Sequence, residues 1–342
     1  MLSVRPLNFS DIQDLERLAV TSGGRLTTLP DNRDHLSELI GGTQQALRKT
    51  VRHPDGETYH FVLEDGEGRI IGIAGIESAV GLRSPFYSYR IDEVVHASSD
   101  LGIHNRIPAL HLCQDYTGCS RLYTLFIDGE YRTPANLHLL SRARMLFMAE
   151  FPERFAPRTL VELQGAIDRD GRSPFWECLG RHFFSMEFDK ANYLSGINAK
   201  SFIADLMPHY PVYVPLLSPA AQECLGEPRP DVEDVMALLE DEGFKYRGYV
   251  DIFDAGPTLE IRTDQLRSAA LSQQFNVTLG EPGADSPWML VSNARLGDYR
   301  CVLTRLCPEQ AKLSPEVAAR LGVADGERVR AMRVDAVDIG AE

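Results

Sequence analysis

Apolar residues along this chain follow two rhythms, one near every second position and one near every 3.6, and the switches between them predict its elements. Leu2–Arg5 reads as a first strand. Ile12, Leu15 and Leu18 then recur at helical spacing, and Ser10 with Gln13 three residues on reads as a capping box at that helix's start. Gly23-Gly24 stops the helix, and a second one, capped near Asp31, carries Leu36, Leu39 and Ile40. Tyr59–Glu64 and Arg69–Glu77 read as strands joined by Asp65-Gly66-Glu67-Gly68, a hairpin signal, with Tyr87–His96 as a further strand.

The richest stretch begins at Leu122. An apolar strand, Leu122–Ile127, runs into a polar turn, Asp128–Arg132, and then a helix over Leu139–Met148. Free N–H groups at such a helix start, together with its dipole, favour an anionic ligand. Val161–Gln164 is another short strand. Ser173–Phe184 reads as a helix running into an aromatic strand, and Val235–Tyr246 as a helix, a glycine stop at Gly243 and a second aromatic strand. The recurrence hints at an internal duplication, although two helix–strand units also resemble each other by chance. From about Ala270 the pattern turns β-rich, with strands at Trp288–Val291, Tyr299–Leu306 and Arg328–Val334 and a helix from Pro315 to Gly322. The whole is a mixed α/β (α+β) pattern with a largely antiparallel sheet.

Composition narrows the functions. The 342 residues are 44% hydrophobic, enough for a sizeable core, and the formal charge of −14 argues against nucleic-acid or anionic-membrane partners. Cys113, Cys119, Cys178, Cys224, Cys301 and Cys307 form no CxxC pair and no zinc spacing, which predicts reduced, mostly buried thiols and no metal. Met1–Pro6 carries no apolar signal core and no segment has the length of a membrane span, so a cytoplasmic protein is expected.

Four runs carry a resemblance: Leu26-Thr27-Thr28-Leu29-Pro30; Arg172-Ser173-Pro174-Phe175-Trp176 with Leu179-Gly180-Arg181; Leu206-Met207-Pro208; and Tyr249-Val250-Asp251-Ile252-Phe253-Asp254 with Gly256-Pro257-Thr258. Over essentially its whole length the chain resembles the arginine N-succinyltransferase family (arginine/ornithine succinyltransferase subunits). The resemblance implies a GNAT-like acyl-CoA N-acyltransferase fold, doubled in tandem. It implies a first GNAT-like domain over residues 1–197, a second half over 198–268 and a small β-rich C-terminal subdomain over 269–342. The implied reaction moves succinyl from succinyl-CoA to the α-amino group of arginine, or of ornithine, the first step of a catabolic route. The implied assembly is a homo-oligomer or a hetero-oligomer with a paralogous subunit.

That chemistry needs a polarised thioester, a neutral amine, a proton for the leaving thiolate, and carboxylates for the acceptor's guanidinium. The family's cofactor contact falls on Leu125, which is equally a core strand position. Its pyrophosphate turn, Arg/Gln-x-x-Gly-x-Gly/Ala, aligns with Arg132-Thr133-Pro134-Ala135-Asn136-Leu137: Arg132 is kept, both glycines are lost, and Pro134 lacks an N–H. Arg132 and Asn136 are the cofactor candidates there, against a plain loop before a helix. The family's proton-donating histidine aligns with Arg229 in Glu227-Pro228-Arg229-Pro230; an arginine stays charged and stabilises an anion or simply meets solvent. His209 and Tyr213 are the substitute donors, with Tyr210 and His182 near them in kind, although a histidine among aromatics is more often structural. Asp251, Asp254 and Glu260 are candidates for the guanidinium, or else caps of turns around Gly256-Pro257. Glu233, Asp234, Glu240, Asp241 and Glu242 read as a solvated helix face. Two functions stay open beside the active succinyltransferase: a catalytically impaired subunit supporting an active paralogue, and an acyltransferase with a changed donor or acceptor.

Overall fold

The computed structural model describes residues 1–23, 26–196, 206–208 and 210–340; His209 lies outside them. In chain order the strands are β1 (Ser3–Pro6), β2 (Thr58–Glu64), β3 (Ile70–Glu77), β4 (Ser88–Ser98), β5 (Ile103–Cys113), β6 (Ser120–Ile127), β7 (Arg158–Glu162) and β8 (Val212–Tyr213). Then come β9 (Lys245–Val250), β10 (Pro257–Arg262), β11 (Gln273–Asn276), β12 (Thr278–Leu279), β13 (Trp288–Asn293), β14 (Cys301–Arg305), β15 (Lys312–Leu313) and β16 (Arg328–Arg333). The three long helices are α1 (Ile12–Thr21), α2 (Arg33–Arg48) and α3 (Pro134–Glu150). The mixed α/β class expected from the pattern is the class observed.

Two compact units emerge: residues 1–79, 120–157 and 262–342 form the first, and 80–119 with 158–261 the second. The chain passes between them at 79/80, 119/120, 157/158 and 261/262, so neither unit is contiguous in sequence.

In the first unit the strands run β11-β16-β13-β14-β1-β2-β3-β6, with antiparallel neighbours throughout. The C-terminal strands therefore extend the N-terminal sheet, with Val4 opposite Cys301. Leu15, Leu18, Leu36 and Ile40 on α1 and α2 pack with Val62, Ile70 and Ile73. The adjacent Phe61 points to the opposite face, where α3 lies: its ring meets Phe147 at 5.0 Å, and Phe147 meets Tyr299 at 5.1 Å. Each such buried aromatic or aliphatic side chain contributes about 1.5–3 kcal/mol. The capping box belongs to Asn8 and Asp11 rather than to Ser10 and Gln13. Asn8 Oδ1 accepts the Ser10 N–H at 2.9 Å and Asp11 Oδ2 the Asn8 N–H at 2.8 Å. Asp11 prevails because it also takes the Arg5 guanidinium, at 2.8 and 3.0 Å.

In the second unit the order is β7-β10-β9-β4-β5-β8. β4 and β5 form a long hairpin from Ser88 opposite Cys113 to Ser98 opposite Ile103. Sequence pattern misses β5 because residues 103–106 face solvent and carry no apolar alternation. The core gathers Phe175, Trp176, Phe184, Tyr89, Leu110 and Phe253. The expected aromatic strand at Phe183-Phe184 is instead helical: a wide π turn over Trp176–Gly180 passes into Arg181–Phe184. That keeps the Phe184 ring 5.2 Å from Trp176, before Ser185 ends the helix at φ 50°. The second instance does form as expected, with a helix over Glu233–Asp241, Gly243 at φ 99° and strand β9.

Candidate active site

In the first unit, β3 and β6 pair from Gly72↔Ile127 and Ile73↔Phe126, and then from Gly75↔Tyr123 to Glu77↔Arg121. Ala74 alone thus spans the two residues Thr124 and Leu125. Thr124 takes φ 49°, a conformation strained for a β-branched residue, and the pair forms a bulge that lifts one residue out of the ladder. Small residues opposite make room for it: a Cβ on Gly72 would lie 2.9 Å from the Phe126 carbonyl, and one on Gly75 2.9 Å from the Tyr123 ring. Side chains fix it further. Thr124 Oγ1 donates to Thr28 Oγ1 at 2.7 Å, which gives the Leu26–Pro30 run a structural role. Tyr123 Oη shares a hydrogen bond with His60 Nε2 at 2.9 Å, and His60 Nδ1 one with Thr43 Oγ1 at 3.0 Å. Burial pushes the His60 pKa down to about 3, so the ring is neutral. Thr28, His60, Tyr123 and Thr124 were not singled out from sequence as site residues; the paired glycines of β3 were the available signal.

Leu125, half-buried, sits in the bulge. Beyond it the Asp128 N–H donates to the Ile71 carbonyl at 2.9 Å, and a 3-10 turn over Gly129–Tyr131 leads to α3. Arg132 lies half-buried between this turn and the cap Thr133. Thr133 Oγ1 accepts the Asn136 N–H at 3.2 Å, and Asn136 Nδ2 donates to the Tyr131 carbonyl at 2.7 Å. The Leu137 N–H takes the Thr133 carbonyl at 2.9 Å and Pro134, at the first helical position, has no N–H. Among the described residues the Ala135 N–H takes no partner, so it is the donor the helix start still offers. The first turn carries no acidic side chain, which leaves the positive end of the helix dipole uncompensated. The helix start therefore offers an anionic group a backbone N–H, with Arg132 two residues before the helix and no glycine cradle.

The second unit holds the other candidates. The Arg229 N–H donates to the Gln164 carbonyl at 2.8 Å, and Pro228 bridges Gly165. The Arg229 guanidinium grips Asp231 in a two-pronged ion pair, with Nη2 2.8 Å from Oδ2. The neighbouring Gly165 N–H donates to Asp254 Oδ2 at 2.9 Å, and the Gly256 N–H to Asp254 Oδ1 at 2.8 Å. So Arg229 and Asp254 share one strand end, where a Cβ on Gly256 would lie 2.1 Å from the Leu163 carbonyl. Burial, then the nearby Asp251, raises the Asp254 pKa above the ordinary carboxylate range. Asp251 Oδ1 accepts the Phe253 and Asp254 N–H groups at 2.7 and 3.1 Å, an Asx turn. Glu260 stands differently: its Oε2 faces the Arg158 Nη1 at 3.6 Å. Tyr213 is not joined to any of these; its hydroxyl meets His96 Nε2 at 3.0 Å. His182 lines a cavity of about 380 Å³ with Arg181, Ser185, Met186 and Glu187.

These features describe a mixed α/β protein in which a bulged strand passes through one 3-10 turn to a helix start that offers a backbone N–H to an anionic ligand. Residues 2–268 match the family model described as arginine N-succinyltransferase beta subunit, and residues 273–333 that of the same subunit's C-terminal domain. The chain belongs to the arginine N-succinyltransferase beta subunit family. It is 44% identical to the arginine N-succinyltransferase subunit beta of Pseudomonas aeruginosa over 97% of this chain and 98% of that one. It is 43% identical to the arginine N-succinyltransferase of an Escherichia coli strain over 98% of each. Its fold matches the solved arginine/ornithine succinyltransferase subunit AI of Pseudomonas aeruginosa with a TM-score of 0.91 at 40% identity, covering 98% and 99% of the two chains.

Proposed function

We propose that this chain is an arginine N-succinyltransferase, transferring succinyl from succinyl-CoA to the α-amino group of L-arginine, with ornithine as a second acceptor. The observation that carries the reading is the bulged β6 feeding the capped start of α3, within a chain that matches its family from end to end. The backbone at Leu125 leaves the ladder and polarises the thioester carbonyl. The Ala135 N–H, the α3 dipole and Arg132 hold the pyrophosphate, and Asn136 keeps the turn in shape. An α-amino group is largely protonated near pH 7, so attack needs prior proton loss to water or a base. An arginine side chain offers donors and no proton to shuttle, so the role of Arg229 is to stabilise negative charge, the departing thiolate or a substrate carboxylate. Tyr213, with His96 behind its hydroxyl, and His209 are the groups assigned to protonate the thiolate. Of the three carboxylates proposed for the guanidinium, Asp251 and Asp254 serve backbone N–H groups, while Glu260 faces the Arg158 guanidinium, a partner that an acceptor guanidinium would displace, which makes Glu260 the one to test.

A duplicated GNAT-like ancestry, with segments 1–197, 198–268 and 269–342, is part of the same proposal, as are a cytoplasmic setting and assembly into homo- or hetero-oligomers. One observation favours the subunit reading instead. Where the family has its histidine, Arg229 is tied to Asp231, and Ala135 and Leu137 stand where the family's turn has its glycines. The test is thiol release by the purified chain from succinyl-CoA with arginine, ornithine or lysine. Arginine-dependent release establishes the transferase; no release by folded protein, in an assay proven on an active relative, leaves the subunit reading standing.

A further inference from the structure

On α3, nearly three turns along from the cofactor end at Pro134, Arg144 is buried to 2% exposure. Its Nη1 donates to the carbonyls of Gly75 and Tyr123, each at 3.2 Å, and its Nε and Nη2 donate to the Ser141 carbonyl at 3.3 Å and Ser141 Oγ at 3.2 Å. Among the described residues no carboxylate pairs with it. Burial lowers its pKa to about 9, so it remains charged at neutral pH. A buried cation without a counter-ion is costly, and an apolar helix face packed on a sheet needs none. What the guanidinium grips is specific: Gly75 and Tyr123 are the in-register pair at which the β3–β6 ladder breaks for the bulge. Carbonyl dipoles from two strands converge on one planar fork, a geometry that a lysine's point charge does not reproduce.

We infer that Arg144 is a positioning residue for acyl transfer: by clamping the Gly75 and Tyr123 carbonyls it fixes the bulge, and hence the orientation of the Leu125 backbone toward the thioester. The inference rests on the succinyltransferase reading for its kinetic consequence but not for its structural one. It differs from ordinary core packing because its effect is confined to one ladder break.

The test is Arg144→Lys in the full chain, read by steady-state kinetics and by amide hydrogen exchange. The expected result is a fall of about tenfold or more in kcat/KM for succinyl-CoA, with KM for arginine changed by less than about twofold, the signature of lost carbonyl polarisation rather than lost acceptor binding. Exchange at residues 123–126 rises about tenfold while that of β13 and β14 stays at the wild-type rate. Unchanged exchange at 123–126, or exchange raised equally across the first unit, overturns the inference, as does wild-type kcat/KM alongside localised exchange. Should Arg144→Lys fail to fold, Ser141→Ala, which removes one partner of the fork, carries the same two readouts. If the wild-type chain transfers no succinyl group, the functional reading falls by itself. The clamp is then judged by exchange alone, with localised loosening sustaining it and uniform or absent loosening sinking it.

Discussion

At the scale of single residues, the same side chain often serves two trades, and only surroundings decide between them. Asp251 and Asp254 carry the carboxylates that a guanidinium needs, yet their oxygens are taken by N–H groups of Phe253, Gly165 and Gly256. Gly256-Pro257 makes a turn legible there, but the partner Gly165, distant in sequence, is not. His60 was silent in the sequence, a lone histidine in an apolar strand, and becomes consequential only between Thr43 and Tyr123. Its titration is testable. A folded pKa near 3, below the ordinary value of 6.5, means that the unfolded chain binds a proton the native state refuses. The His60 contribution is therefore fully present above about pH 6.5 and is lost as pH falls from there toward 3, at up to about 1.4 kcal/mol per pH unit. His60→Gln, which keeps hydrogen-bonding capacity without titrating, should be less stable at pH 7 yet lose stability more slowly between pH 6 and 4. Parallel urea-derived stability curves for the two proteins across that range would remove His60 from the account.

At the scale of elements, period and length are readable over most buried faces, fail at the buried but helical Phe184, and are lost where local chemistry or solvent exposure intervenes. The apolar run placed α3 at Leu139–Met148, while the helix starts at Pro134 because Thr133 caps it and Pro134 suits the first helical position. The β6 strand was evident from its apolar residues; its bulge was not, since Thr124 is a poor residue for a positive φ and is held there by Thr28. The cap makes a prediction. Thr133→Ala leaves the Asn136 N–H without its acceptor and should destabilise the chain by about 1 kcal/mol, read as a small fall in melting temperature. Because the freed N–H lies beside that of Ala135, coenzyme A affinity, measured by calorimetry, should change by less than about tenfold. A loss of several kcal/mol would mean that Thr133 holds more than the helix start.

At the scale of the whole molecule, the β-rich tail looks like a module by composition, and residues 273–333 match a family model of their own. Contacts tell against its independence. β14 pairs with β1 on the edge opposite β2, so the tail supplies the neighbour that keeps Val4 buried. Tyr299 Oη donates to the Ala143 carbonyl of α3 at 2.8 Å, and its ring packs on Phe61 and Phe147. Glu150, at the end of α3, has a side chain only 3% exposed and meets Arg328 and Arg330, each at 2.8 Å. Removing the tail would leave that carboxylate without either cation, expose a sheet edge at β1 and uncover the outer face of α3. Glu150 would then meet water, so the cost lies in the uncovered apolar and aromatic side chains, each about 1.5–3 kcal/mol, against a total stability of about 5–15 kcal/mol. A chain ending at residue 268 should therefore be aggregation-prone or melt more than about 10 °C below the full chain, whereas Glu150→Gln in the full chain should lose only part of that margin. The comparison is decisive in one direction: a truncated chain that is monodisperse and melts cooperatively at the full-length temperature would make the tail a separate domain after all. Pattern alone could not decide this, because strand periodicity reports which face is buried and not which strand lies beside it.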